Sequence, residues 1–158
     1  MMRVHPFTVA ASAVLAISLG VVTLAQQKPA APAATKVTVY KTSSCGCCKL
    51  WVDHLKASGF DVQAMDVSSD DVRAVSKAAG LKDDDTSCHT AKVGNYTVEG
   101  HVPAEDIKRL LKEKPAIAGL AAPGMPQGSP GMEQGSKEPY DVIAFTKDGK
   151  STIFAKHK

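Results

Sequence analysis

The alternation of apolar and polar residues predicts short strands and amphipathic helices in turn along most of the chain. Residues 36–41 alternate, with Val37 and Val39 on one face, as in a half-buried β-strand. Farther on, apolar residues recur at helical spacing, and these segments stop at Gly59 and Gly80. The predicted elements are strand 36–41, helix 49–58, strand 60–67, a helix from residue 69 to the stop at Gly80, strands 90–93 and 96–99, and helix 104–114.

The turn between the third and fourth strands is the strongest local signal for a hairpin. Gly94-Asn95 separates the two apolar segments by two residues that tolerate a left-handed backbone. The element order is therefore β-α-β-α-β-β-α. A parallel βαβ unit followed by a hairpin and a helix is the plan of thioredoxin-like domains, so the pattern predicts an α/β fold of that kind.

After Pro115 the composition changes. Residues 116–139 are rich in glycine, proline and alanine and contain two methionines, which indicates a long loop, either functional or disordered. Residues 140–145 and 151–154, joined across Asp148-Gly149, predict a final β-hairpin. Because the hairpin tethers the loop at its far end, plain disorder is disfavoured.

The N-terminus carries an export pattern. Arg3 precedes an apolar stretch at 7–24, and Ala25 provides a small residue at a plausible cleavage point. We predict a signal peptide at 1–25, a proline-punctuated linker at 26–35 and one domain at 36–158. A retained membrane anchor is the alternative, and it would be the chain's only membrane contact. In either case the domain lies outside the cytoplasm.

The distribution of charge argues against nucleic-acid binding. The chain has 158 residues and a formal net charge of +3, and its basic residues are spread along the sequence. Nucleic-acid binding usually requires a concentrated basic stripe, so we expect no nucleic-acid partner.

Three cysteines within four residues are the main chemical feature. Cys45 and Cys48 have C-x-x-C spacing between a strand and a helix, where the helix N-terminus lowers thiol pKa and favours the thiolate. Cys47 adds a third thiol, which would scramble disulfides during exchange but suits a thiolate cage for a metal ion. A Cys45–Cys48 disulfide with Cys47 buried is the structural alternative.

Cys88 is expected to complete this cluster from a distance. It lies in the loop before the hairpin, and in a thioredoxin-like domain that loop abuts the start of the first helix, where a cis-proline usually stands. A thiol at that position would face the cysteine motif. The adjacent His89 could be a ligand, could orient a neighbour or could point into solvent.

Two methionines bear on the choice of metal. Met125 and Met132 lie in the glycine-rich loop, where no apolar periodicity explains them. Thioether is a soft ligand that suits Cu(I) and does little for zinc, although surface or gap-filling methionines are the alternative. We expect His101 to have a capping or loop role and His157 to belong to the tail, and the spacing gives little support for His54 at the site.

Taken together, these blocks resemble the CopG-type periplasmic copper-resistance family, long grouped as a domain of unknown function. The matching segments are 39–41 with 45–51, 87–91, 98–103, 124–126 and 131–133, so the resemblance spans roughly residues 36–154. It implies a thioredoxin-like fold, copper bound by the cysteine cluster as one ion or as several bridged by sulfur, and a role in copper tolerance with proposed Cu(I)/Cu(II) chemistry. Residues 81–85 replace the proline-containing turn expected there.

The sequence thus predicts a periplasmic copper-binding protein that holds Cu(I). Cys45, Cys48 and Cys88 are expected as core ligands and Cys47 as a further or bridging ligand, and the candidates to complete the site are His89, Met125 and Met132. Other periplasmic copper-handling proteins are the expected partners. Enzymatic turnover is left open. A thiol–disulfide oxidoreductase that uses Cys45 and Cys48 is one alternative, and a structural zinc site is another.

Overall fold

The computed structural model describes residues 33–158. The predicted signal peptide and most of the predicted linker lie outside the described residues. Ten helices and strands, with one short 3₁₀ turn at Asp83–Asp85, make up this part of the chain. They are β1 (Lys36–Lys41), α1 (Gly46–Ala57), β2 (Asp61–Asp66), α2 (Ser69–Ala78), β3 (His89–Val93), β4 (Tyr96–Gly100), α3 (Ala104–Glu113), β5 (Gly119–Ala122), β6 (Tyr140–Phe145) and β7 (Ser151–His157).

All seven described strands belong to one mixed sheet, in the order β2-β1-β3-β4-β5-β6-β7. β1 pairs parallel with β2, and antiparallel with β3. β3 and β4 form the antiparallel hairpin predicted around Gly94-Asn95. The predicted order of elements from β1 to α3 is therefore confirmed, and the α/β class with it. The sheet is larger than predicted, because three strands follow α3.

β5 is a correction to the predicted loop at 116–139. Residues 119–122 form a strand that pairs parallel with β4 and antiparallel with β6. All four of its residues are buried, so the segment lacks the apolar–polar alternation of a half-exposed strand. Leu120 and Ala122 contribute to one apolar cluster and Ala121 to another, as expected for alternating residues on opposite faces of a sheet.

The chain's end is also more ordered than predicted. β7 continues to His157, beyond the predicted end at residue 154. His157 Nε2 lies 2.7 Å from a carboxylate oxygen of Asp106 on α3, and its ring stacks on Tyr140 at 4.8 Å between centroids. The histidine assigned to a solvated tail therefore ties the last strand to a helix.

The main core lies between the sheet and the helices α1 and α3. Trp51 and Leu55 from α1 and Ile107 and Leu110 from α3 are fully buried there with Val39 of β1. A separate cluster forms near the end of α2 and consists of Ala79, Leu81, Ala121 and Phe145. Since Ala121 faces away from the main core, α2 covers the opposite face of the sheet from α1 and α3.

Trp51 connects the core to the region of the cysteines. Its indole Nε1–H donates a hydrogen bond of 2.9 Å to the carbonyl oxygen of Val102, in the segment between β4 and α3. A buried indole N–H usually has such an acceptor, and here the bond ties α1 to that segment. Within residues 33–158, none of the helices has the length and hydropathy needed to cross a bilayer.

Substitution of Gly119 tests the unpredicted strand. A Cβ at Gly119 would overlap the carbonyl oxygen of Thr97 and lie 2.7 Å from its carbonyl carbon, so β5 could not approach β4. We expect Gly119→Ala to lower the free energy of unfolding by about 3 kcal/mol, at the upper end of overpacking costs, in urea denaturation. Gly46→Ala is the control, since a Cβ there meets nothing within 4 Å. Equal stabilities for the two variants would contradict the β4–β5 pairing.

Candidate metal centre

The three clustered cysteines lie at the start of α1, immediately after β1. The helix begins at Gly46, three residues before the predicted start, so Cys47 and Cys48 belong to its first turn. Cys45 is the N-cap, and its sulfur accepts the backbone N–H of Cys48 at 3.3 Å. In the reduced protein, this hydrogen bond and the positive end of the helix dipole would both stabilise a thiolate at Cys45.

Cys45 and Cys48 are joined by a disulfide, with their Cα atoms 5.3 Å apart. Cys48 is fully buried, whereas Cys45 is partly exposed. Cys47 and Cys88 are free thiols. The disulfide form of the C-x-x-C pair therefore leaves two of the four sulfurs as ligands, and a two-electron reduction supplies the other two.

Cys88 faces the cysteine motif, as the topology predicted. It immediately precedes β3, and its sulfur lies 3.4 Å from the Cys48 sulfur and 4.0 Å from the Cys47 sulfur. The sulfur atoms of Cys45, Cys47, Cys48 and Cys88 all lie within 4.8 Å of one another. One metal ion, or several bridged by sulfur, could contact all four after reduction.

The Cys88 thiol is held in its protonated form in the metal-free protein. Burial, with the nearby Cys47 as a further cause, raises the pKa of Cys88 to about 12. A cation at this position would displace the proton and supply the positive charge that the buried sulfur lacks. Metal binding at Cys88 therefore releases a proton.

His89 contributes a buried neutral imidazole. Its ring is fully buried against Trp51, at 4.4 Å between ring centroids, and Nδ1 lies 3.5 Å from the Cys88 sulfur. Burial, and next the neighbouring His101, lower the pKa of His89 to about 3, so the ring carries no charge near neutral pH. Within the described residues its Nε2 has no hydrogen-bond partner. Whether His89 is a ligand stays a prediction.

His101 is a candidate ligand that the sequence did not predict. It is fully buried, and its Nε2 lies 3.2 Å from the Cys88 sulfur. Its Nδ1 lies 2.8 Å from the carbonyl oxygen of Pro130, which can only accept, so Nδ1 carries the hydrogen and Nε2 presents a lone pair. A ring nitrogen oriented in this way by a backbone carbonyl is typical of metal-binding histidines. Burial lowers the pKa of His101, which keeps the imidazole neutral.

The hairpin could have revealed this histidine. A two-residue turn at Gly94-Asn95 sets Thr90 opposite Glu99. The same register, extended by two residues, places Cys88 opposite His101. Cys88, His89 and His101 form a second group whose ligand atoms lie within 4.8 Å of one another. Cys88 belongs to both groups, which makes it the shared residue of the candidate centre.

The methionine-containing loop lies against the same place. At Gly131, where φ is +87°, a Cβ would lie 2.7 Å from the carbonyl oxygen of Cys47 and 2.9 Å from the backbone nitrogen of Trp51. Only glycine allows the loop to approach the first turns of α1 so closely. Met132 is half-buried next to Gly131, whereas Met125 is 51% exposed. Ligation by either thioether stays a prediction.

Two other histidines have structural partners elsewhere. His54 Nε2 accepts the backbone N–H of Ala104, at the start of α3, at 3.1 Å. His157 pairs with Asp106, as described above. Neither belongs to the two groups of candidate ligands in residues 33–158.

Cys88 is also reached from the α2 side. A cavity of about 240 Å³ is lined by Thr42, Ser69, Val72, Arg73, Ser87 and Cys88. Residues 81–85, where the sequence departs from the expected proline-containing turn, form the 3₁₀ turn at Asp83–Asp85 and do not line this cavity.

Comparison with known proteins gives consistent matches. Residues 86–132 match a family model described as "Protein of unknown function, DUF411". Two solved structures, titled "Copper resistance protein copG" forms 1 and 2, are each 40% identical to this chain with a TM-score of 0.72. The matches cover 78% and 79% of this chain, and 98% and 99% of the respective structures. The search of curated proteins returned no significant match.

Proposed function

This chain belongs to the copper-resistance CopG family, and on that premise we propose that it binds Cu(I) and acts in copper tolerance. It is a homologue of a copper resistance protein and carries a cysteine and histidine cluster able to bind a metal.

The observation that carries the proposal is the convergence of soft donors on Cys88. Its sulfur lies within 4.8 Å of three other sulfurs and of two neutral imidazole nitrogens. Thiolate and imidazole are ligands that copper prefers, and thiolate in particular selects Cu(I) over Mg²⁺ or Ca²⁺. No carboxylate belongs to either group of ligand atoms in the described part of the chain. The donor set therefore fits copper.

Each ligand would contribute in a different way. Cys45, Cys47 and Cys48 would supply thiolates from α1, and Cys88 would bridge between them and His101, with His89 beside it. A shared sulfur suits a cluster of more than one copper ion. Met132 and Met125 would complete the coordination as uncharged thioethers. When bound, copper supplies one-electron chemistry between Cu(I) and Cu(II), and a redox role in the family's copper tolerance would rest on it.

We further propose that β1 to α3 form a thioredoxin-like unit. The strand order β2-β1-β3-β4, with one parallel and two antiparallel pairs, supports this assignment. β5, β6 and β7 would then be an extension of that unit along the β4 edge. The extension matters to the site because the glycine-rich loop between β5 and β6 reaches His101 and Cys47.

We also propose that the protein works in the periplasm, after removal of residues 1–25. Arg3, the apolar stretch at 7–24 and Ala25 support export. We expect the protein in the periplasmic fraction, with an N-terminus at Gln26 by mass spectrometry. Recovery of the chain with residues 1–25 in the cytoplasm would contradict this proposal.

Thiol–disulfide exchange is a second candidate function, and one observation favours it. The Cys45–Cys48 pair is present as a disulfide whose first sulfur is partly exposed and whose second is buried. Exchange would require neither Cys47 nor Cys88. Insulin reduction that survives Cys47→Ser together with Cys88→Ser would therefore support exchange, and we expect that activity to be absent from the wild-type protein.

The central test is an anaerobic titration of the reduced protein with a competing Cu(I) chelator. We expect tight, stoichiometric binding, and a loss of at least about 100-fold in affinity for Cys48→Ser combined with Cys88→Ser, because two thiolates are removed. Metal analysis of protein isolated from cells separates copper from a structural zinc site. An unchanged affinity in the double variant would contradict the proposal.

Two histidine variants provide a matched comparison in the same titration. His101→Gln removes a nitrogen that lies 3.2 Å from the Cys88 sulfur, and we expect it to weaken Cu(I) binding by about 10–100-fold. His54→Gln removes a histidine that contacts the backbone of Ala104 instead, and we expect no change in affinity. Equal losses in the two variants would argue against His101 as a ligand.

A further inference from the structure

We propose that Glu99 is a positioning residue for Cys88. In this proposal its buried carboxylate holds the backbone at Ser87, so that the sulfur of the next residue stays opposite the start of α1. The inference rests on the proposed function, because it concerns the same copper site, and it assigns a role to a residue that would not touch the metal.

The burial of Glu99 requires an explanation. The side chain is fully buried on β4, and no lysine, arginine or histidine within residues 33–158 forms an ion pair with it. Glutamate is almost never fully buried without a partner, because removing the charged carboxylate from water is strongly unfavourable. Burial accordingly raises the pKa of Glu99.

Three hydrogen bonds compensate for this burial. One carboxylate oxygen accepts the backbone N–H of Ser87 at 2.7 Å. The other accepts the hydroxyl of Thr90 at 2.6 Å and the hydroxyl of Ser76, on α2, at 3.0 Å. The carboxylate therefore joins a helix, a strand and the segment that leads to Cys88.

Ser87 is the contact that bears on the site. β3 begins at His89, so Ser87 and Cys88 lie beyond the end of the strand and the N–H of Ser87 has no strand partner. The Glu99 carboxylate takes the place of that missing partner. The next residue, Gly100, has φ of +68°, and a Cβ there would lie 2.6 Å from the Cβ of Ser87. Ser87 is thus held closely against the end of β4.

The Cys88 sulfur must be placed accurately, because candidate ligands lie close to it on two sides. Its sulfur lies 3.4 Å from the Cys48 sulfur on one side and 3.2 Å from Nε2 of His101 on the other. A displacement of the backbone by about 1 Å would take one of these donors out of reach of a shared ion. Since Glu99 fixes the residue immediately before Cys88, its largest effect on copper binding is expected through Cys88.

A double-mutant cycle tests this dependence. We expect Glu99→Ala to weaken Cu(I) binding by about 10-fold or more in a chain that keeps Cys88, as for other residues that orient metal ligands. In the Cys88→Ser background, the same substitution should change the affinity by less than about threefold, because the residue it positions is already gone. Glu99→Gln should restore affinity to within about threefold of wild type, since its amide oxygen can accept the Ser87 N–H.

A matched control separates positioning from loss of stability. Val142→Ala removes buried side-chain volume on β6, and Val142 belongs to neither group of candidate ligands. We expect it to lower the free energy of unfolding while leaving the Cu(I) affinity within about threefold of wild type. If Glu99→Ala does not fold, Glu99→Asp replaces it in the same cycle, because its side chain is one methylene shorter but keeps the carboxylate. We then expect the Cu(I) affinity to fall by more than about threefold only in chains that contain Cys88.

The outcomes distinguish this proposal from the one it rests on. Equal effects of Glu99→Ala with and without Cys88, or a loss in Val142→Ala as large as that in Glu99→Ala, would overturn the positioning role while leaving copper binding intact. Failure of the reduced wild-type protein to bind Cu(I) would overturn both. A loss confined to chains that contain Cys88, with rescue by Glu99→Gln, would support the proposal.

Discussion

The register of the β3–β4 hairpin is the constraint on which the candidate metal centre depends. Thr90 pairs with Glu99, and this alignment follows from a two-residue turn at Gly94-Asn95. Continued past the end of β3, it brings Cys88 beside His101. A shift of one residue would turn every side chain of one strand to the other face of the sheet, and Cys88 would then face away from the cysteines of α1. The turn at Gly94-Asn95 and the pairing of Thr90 with Glu99 thus determine which candidate ligands lie close together.

Other elements support the region around Cys88 and His101 from both faces of the sheet. On one face of the sheet, Trp51 ties α1 to the segment after β4 by its hydrogen bond to Val102. On the other face, Ser76 of α2 contributes to the hydrogen bonds around Glu99. The glycine-rich loop reaches the site from the β5–β6 connection, with the carbonyl of Pro130 orienting the ring of His101. Cys88, at the end of the sheet, is therefore supported from three directions that are far apart in sequence.

The parts that the sequence predicted are those with strong local signals. Periodicity identified β1, α1 and α3, the Gly94-Asn95 turn identified the hairpin, and the element order was enough to bring Cys88 opposite the C-x-x-C motif. β5 was missed because a short strand buried on both faces has no alternation to detect. The hairpin register could have placed His101 opposite Cys88. Its orientation by the carbonyl of Pro130 could not have been predicted, because Pro130 lies in a segment without regular secondary structure. Glu99 could not be told from an ordinary exposed polar residue of a strand, because no local sequence pattern indicates that a carboxylate is buried.

The N-cap position of Cys45 has a consequence for how the four sulfurs share electron density. The backbone N–H of Cys48 donates to the Cys45 sulfur, whereas the hydroxyl of Ser87 and the imidazole of His101 lie against the sulfur of Cys88. A hydrogen bond to sulfur withdraws charge and weakens it as a donor. The four cysteines are therefore chemically inequivalent before any ion arrives. In a cluster held by all of them, the Cys45 sulfur would offer an ion less negative charge than it would without this hydrogen bond.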